Sequence, residues 1–132
     1  MTLISLIAPG QPVSAKNHQR VVKYGDRAGI RSGKAIERWY ERVVPELARQ
    51  FARQDMRTIR GHIHLDTHQF LQHDLDSPAN PDADGILAGV FDALQKALVV
   101  HNDRQIVGGA FTRQRDQARP RVEIEIRVLP EG

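Results

Sequence analysis

Two aspartates separated by one residue, Asp82 and Asp84, are the strongest chemical signal in this 132-residue chain. In an extended segment both carboxylates point to one side, close enough to share a divalent cation. Asp103 follows the next helical stretch and adds a third carboxylate if that helix returns the chain to the same end. Three carboxylates and no cysteine anywhere suit a hard, oxygen-seeking ion such as Mg2+ or Mn2+ better than zinc. A cation held there lowers the pKa of an attacking water, neutralises a phosphate and stabilises charge on a leaving oxygen, which is the chemistry of phosphodiester hydrolysis. By itself Asp-x-Asp also fits a solvated loop with a helix cap. Asp74-Leu75-Asp76 repeats the spacing, but Pro78 and Pro81 separate it from any helix, whereas the second pair runs straight into one, so the second pair is the preferred site.

Two other groups of side chains carry candidate chemistry. His62, His64 and His68 share one face of an alternating segment and offer neutral imidazoles to a transition metal; the plainer reading is the polar outer face of an edge strand. Lys16, Arg20, Lys23, Arg27, Arg31, Arg113, Arg115 and Arg119 are candidate DNA phosphate contacts. No Gly-rich phosphate loop, nucleophile elbow or His-Glu-x-x-His motif is present.

The elements that must position these residues follow from periodicity. Thr2 to Ile7 reads as a strand closed by Pro9-Gly10 and Pro12. Residues 13 to 33 read as a basic, mobile loop. From about Ser32, Ile36, Trp39, Tyr40, Val43, Val44, Leu47 and Phe51 fall at helical spacing, with Pro45 expected to kink or divide the helix. Gly61 to Leu71 alternates as a half-buried strand, and Ile86 to Leu98 reads as a second helix, with Asp82-Ala83-Asp84 at its N-terminus. A strand begins near Gln105, and Arg121 to Val128 alternates cleanly as a last one. This order predicts an α/β (α+β) fold: a single small domain over residues 1–132, with a mixed β-sheet covered by two main helices.

Charge is distributed in blocks that the formal net charge of +3 conceals. Residues 16–60 hold 12 Lys+Arg against 5 acids, residues 61–103 hold seven acids against Lys96 alone, and residues 104–132 hold 6 Arg against 4 acids. An acidic middle between basic flanks is the distribution expected of a cation site beside a surface that grips a polyanion. The absence of Cys removes disulfide frameworks and cysteine nucleophiles and fits a cytoplasmic protein. No apolar run approaches a membrane span, and no signal-peptide pattern opens the chain.

The run Asp82-Ala83-Asp84-Gly85-Ile86-Leu87-Ala88-Gly89-Val90-Phe91-Asp92-Ala93-Leu94, followed by Asn102-Asp103-Arg104-Gln105-Ile106, resembles the central signature of the RusA family of Holliday junction resolvases. Pro12-Val13-Ser14-Ala15-Lys16-Asn17-His18-Gln19-Arg20 resembles that family's basic turn after the first strand. The resemblance implies that Asp82, Asp84 and Asp103 bind Mg2+, with Mn2+ a possible substitute, and that a homodimer acts on four-way DNA junctions without an organic cofactor or a membrane. The family usually has Asn where Gly85 stands, a catalytic Lys where Ala88 stands, and an acid where Asn102 stands. A cation must then reach the site from elsewhere, with Lys16 and Arg20 preferred over Lys96. These departures define a second hypothesis, a junction-binding module with weak or no cleavage. A metal-sensing or metal-storage protein built on the His strand is a third.

Overall fold

Alternation builds the central strand. In β4 (Ile63–Leu71) every second residue from Ile63 to Leu71 is buried, and those between are partly exposed. The structure is a computed structural model that describes residues 2–15 and 33–130 in full, and residues 20–24 and 27–31 by their backbone. The remaining elements are β1 (Thr2–Pro9), β2 (Arg20–Tyr24), β3 (Arg27–Arg31), α1 (Lys34–Ala52), α2 (Ala83–Lys96), β5 (Ile106–Gly108), β6 (Phe111–Arg115) and β7 (Arg121–Val128).

One mixed sheet runs in the order β1, β7, β4, with β5 and β6 successively along the far side of β4. Strands β1 and β4 pair antiparallel to β7, while β5 and β6 pair parallel to β4. A parallel return needs a long crossover, and α2 supplies it between β4 and β5. Helices α1 and α2 cover one face, where Trp39, Val43 and Leu47 meet Ile4, Leu65, Val90, Leu94 and Ile124 in a continuous core. The free edge of β1 is closed by a side chain: Gln50 accepts from the Ile7 N–H at 2.7 Å and donates to the Ile7 carbonyl at 2.8 Å. The helices are joined by the Tyr40 hydroxyl, which donates to Asp92 Oδ2 at 3.0 Å. Burial first, and then that carboxylate, push the Tyr40 phenol far above its ordinary pKa, so it stays protonated as the donor.

The expected fold class holds, and four local expectations are corrected. Residues 13–33 are not a loop throughout, because β2 and β3 pair antiparallel across five positions; β-formers Val21, Val22, Tyr24 and Ile30 carry the pairing. Helix α1 is not divided at Pro45, which lies on its exposed side, so that the carbonyl freed by the missing N–H is on the solvent side of the helix and not in the core. Strand β4 is central rather than an edge. Strand β6 was not anticipated, because Phe111 to Arg115 is mostly exposed and carries no buried alternation.

Two non-glycine residues hold left-handed backbone, Asp55 and Leu98, and the cost is larger at Leu98 because an aspartate tolerates that region better. Leu98, just past the C-terminal end of α2, holds φ at 58° and is 66% exposed. Left-handed backbone favours glycine, because a β-carbon there crowds the following carbonyl. Leu98→Gly is expected to stabilise the protein by about 0.5–1 kcal/mol, read as a rise of roughly 2–4 °C in thermal midpoint. An unchanged or lower midpoint would show that the exposed side chain makes up the difference.

Candidate active site

The acid pair sits where β4 hands over to α2. Asp82 is the N-cap residue of α2, with extended backbone and no capping hydrogen bond from its side chain, and Asp84 lies in the first helical turn. The premise that both carboxylates extend from one strand-like segment is therefore corrected, since the helix begins between them. Both residues are exposed, and Asp84 Oδ1 accepts from the Gly85 N–H at 2.9 Å. A helix N-terminus favours negative charge, so two carboxylates are tolerated there.

Inward-facing polar side chains on the sheet hold this turn in place. Gln69, buried on β4, donates to the Ala83 carbonyl at 3.4 Å. Arg113, on the adjoining β6, donates through Nε to Gln69 Oε1 at 3.0 Å and through Nη2 to the Pro81 carbonyl at 2.6 Å. Asn80 ties the preceding loop together, donating to the carbonyls of His73 and Asp74 and accepting from the His73 N–H. From the other side, the Ala15 N–H donates to the Gly85 carbonyl at 3.0 Å, bringing the segment after β1 against the start of α2.

Arg113 is thus a strut for the acidic turn, and its engaged guanidinium distinguishes it from a free phosphate contact. If the acid pair holds the metal of a junction nuclease, as the RusA resemblance implies, Arg113→Ala is expected to lower cleavage about tenfold, the effect of losing a group that orients metal ligands. The slope of junction affinity against salt should stay unchanged; a fall of about one would instead make Arg113 a phosphate contact.

Asp103 lies elsewhere. It opens a 3-10 turn, Asp103–Gln105, whose N-cap Asn102 accepts from the Arg104 N–H at 2.8 Å. Gln105, 8% exposed, accepts from the N–H groups of His101 and Asn102 and donates to the carbonyls of Ile59 and Gly61. These bonds fix the turn beside the beginning of β4, where Ile106 pairs with Ile63. The acid pair is at the other end, near Gln69. The rise along β4 and the length of α2 put the two ends roughly 20 Å apart. Asp82 and Asp84 are brought together, and Asp103 does not join them within one chain; among the described residues no three His, Asp or Glu side chains converge as a metal site.

The other sequence candidates are dispersed. Arg115 pairs with Asp74 at 2.8 Å, which occupies the alternative Asp-x-Asp pair, and Arg119 is exposed. Lys16 and the side chains of Arg20, Lys23, Arg27 and Arg31 lie outside the described residues. His68 Nδ1 is 2.7 Å from Thr112 Oγ1, and its Nε2 is 4.0 Å from Glu125. Lys96 lies over the Tyr40 ring, 5.2 Å from its centroid. Sequence reasoning missed Gln69, Arg113 as a strut, and Gln105. Polar residues at inward positions of an alternating strand were the available signal for Gln69.

A mixed sheet with two helices on one face, holding an exposed acidic helix N-terminus on polar struts, defines a small α+β domain. The family model for the endodeoxyribonuclease RusA matches residues 9–127, and the chain belongs to that family. Enzymes of this family act on branched DNA junctions and generally depend on a divalent metal. No curated protein matches the chain. No helix among the described residues is long and apolar enough to cross a membrane.

Proposed function

We propose that the chain is a Mg2+-dependent resolvase of four-way DNA junctions, acting as a homodimer whose two active sites each draw on both subunits. The observation that carries the dimer is the separation of Asp103 from Asp82 and Asp84 along α2, together with an uncovered apolar groove beside the middle of that helix. Leu87 and Phe91 of α2, Val107 of β5 and Phe111 of β6 line this groove of about 370 Å3. Val107 is 54% and Phe111 48% exposed, at the open edge of the sheet. Such a face is suited to a second copy.

A twofold axis crossing α2 between Leu87 and Phe91 sets the two helices antiparallel. Asp103 of the partner subunit then arrives beside Asp82 and Asp84. The donor set becomes three carboxylate oxygens of the hard kind that Mg2+ or Mn2+ takes, so the residues fit the ion only in the dimer. When bound, the cation supplies charge neutralisation at the scissile phosphate and a more acidic attacking water. Arg104 of the partner subunit comes with that aspartate, a cation beside a site where Ala88 offers none. Arg119 and the basic arm (Lys16, Arg20, Lys23, Arg27 and Arg31) hold the DNA backbone, with paired symmetric nicks following from the twofold symmetry.

Incubating the protein with an end-labelled four-way junction and Mg2+ tests this reading. Symmetric nicks that vanish in Asp84→Asn while junction binding persists are expected. Tight binding with no product from the unaltered chain would favour the non-cleaving module that Gly85 and Ala88 suggest, and cleavage gained in Ala88→Lys would then locate the defect.

A further inference from the structure

A second groove, of about 410 Å3, opens next to the acid pair, with Asp82 itself in its lining. Pro12, Val13, Ala35 and Pro81 give it apolar walls, and Gln11 and His73 stand among them as polar groups. Its volume is in the range of sites that enclose a small planar ligand. The walls are already fixed. Pro12 is buried, Ser14 beneath is 3% exposed, and Asn80 is held by its three hydrogen bonds to His73 and Asp74. Gln11 is anchored through its oxygen, which accepts from the Gln72 N–H at 2.8 Å, leaving its NH2 available to a ligand. Little ordering cost remains for an occupant.

Charge identifies the occupant. Ala35 lies on the exposed side of α1, and by helical spacing Arg38 and Arg42 share its flank, while Glu37 and Glu41 fall on the other. Arg42 is steadied by the Pro9 carbonyl at 3.3 Å, and both arginines are exposed. A basic track leading to an apolar slot is the arrangement by which proteins hold a single strand, with cations along the backbone and a surface for the base.

We infer that this groove receives one unstacked nucleobase, from a nucleotide adjoining the phosphate that a cation at Asp82 and Asp84 would engage. The inference rests on the junction-nuclease reading above. The slot lies between the segment after β1 and the loop before α2, so a base enters only when it has left its stack. At the crossing point of a four-way junction that costs least, because stacking is already interrupted where the strands exchange between arms. Arg38 and Arg42 then contact the phosphates of the same strand.

The test is a set of junctions, each lacking one base at a single position around the crossing point, with affinity measured without divalent metal. The chain is expected to bind one of these about tenfold more weakly than the intact junction, the size of one base-stacking contact. Ala35→Trp, which fills the slot from an exposed position, should bind every member of the set within about twofold. His73→Ala, which opens a wall without adding bulk, should blunt the same positional loss. A flat profile for the unaltered chain, or an unchanged profile in a folded Ala35→Trp, would overturn the base site, including the case in which the chain's own arm fills the slot. Failure of the unaltered chain to bind any junction would instead overturn the junction reading on which this one stands.

Discussion

Mixing two inactive variants should restore nicking. Asp84→Asn and Asp103→Asn are each expected to lose about a hundredfold or more of cleavage, since loss of groups that merely orient metal ligands already costs about 10–100-fold. If the site lay within one chain, every subunit in the mixture would carry a defective site and activity would stay at the single-variant level. If each site joins Asp82 and Asp84 of one subunit to Asp103 of the other, a mixed dimer has one intact site and one with both defects. Random assortment makes half of the dimers mixed, so about a quarter of the sites work. Single-strand nicks should therefore reappear at about a quarter of the normal level. Paired cuts should not, because no dimer has two working sites. A denaturing gel of nicked strands beside a native gel of resolved junctions reads both quantities. The experiment is sharp because the roughly 20 Å between the acids is set by the α2 crossover, which a small loop adjustment cannot shorten.

Gly85→Asn should destabilise the protein although it installs the residue that the RusA resemblance leads one to expect there. A β-carbon at Gly85 would lie 1.9 Å from Ser14 Oγ and 2.8 Å from Ser14 Cβ. Rotating the serine relieves the first contact but not the second, and the Ser14 backbone follows at 3.3 Å. The segment cannot simply retreat, because the Ala15 N–H is bonded to the Gly85 carbonyl. Overpacking of this kind costs about 1–3 kcal/mol, expected as a fall of roughly 3–10 °C in thermal midpoint. Ser14→Gly in the same chain should recover most of the loss, giving a coupling that two independent sites would not show. Equal midpoints for Gly85→Asn and the unaltered protein would mean that the segment after β1 yields freely. Glycine at this position thus belongs with Ser14: the serine occupies the volume an asparagine side chain would need. Ala88 has no such explanation. It is partly exposed, one turn beyond Asp84, and Ala88→Lys should fold normally.

Local periodicity accounts for what could be read without coordinates. The apolar spacing of Ile36, Trp39, Val43 and Leu47, and the alternation of Val122, Ile124 and Ile126, each report a buried face directly, and all these residues are buried. Such patterns give element type and inward face, and from their order the mixed sheet covered by two helices. The same reading failed where local signals conflict with context. Pro45 looks like a break, but it sits on the exposed side of α1, where a lost backbone bond is not buried. Strand β4 looked like an edge because its alternate positions are polar, but those positions face the uncovered side of the sheet. Gln69 and Arg113, polar residues facing the helices, serve the acidic turn instead of the core.

The family was legible in the sequence, because residue types at fixed spacing are a one-dimensional fact, and the same spacing singled out three aspartates as candidates. The distance between those aspartates was not legible. Fourteen residues of helix carry the chain back to the end of the sheet where the parallel strand β5 must begin and leave Asp103 there, and no spacing rule reveals whether a helix returns the chain beside its start or away from it. The tertiary structure decides that, since the direction of β5 along β4 is a matter of long-range pairing. It separates three candidate ligands of one chain into two and one, which is the separation the proposed twofold dimer would bridge.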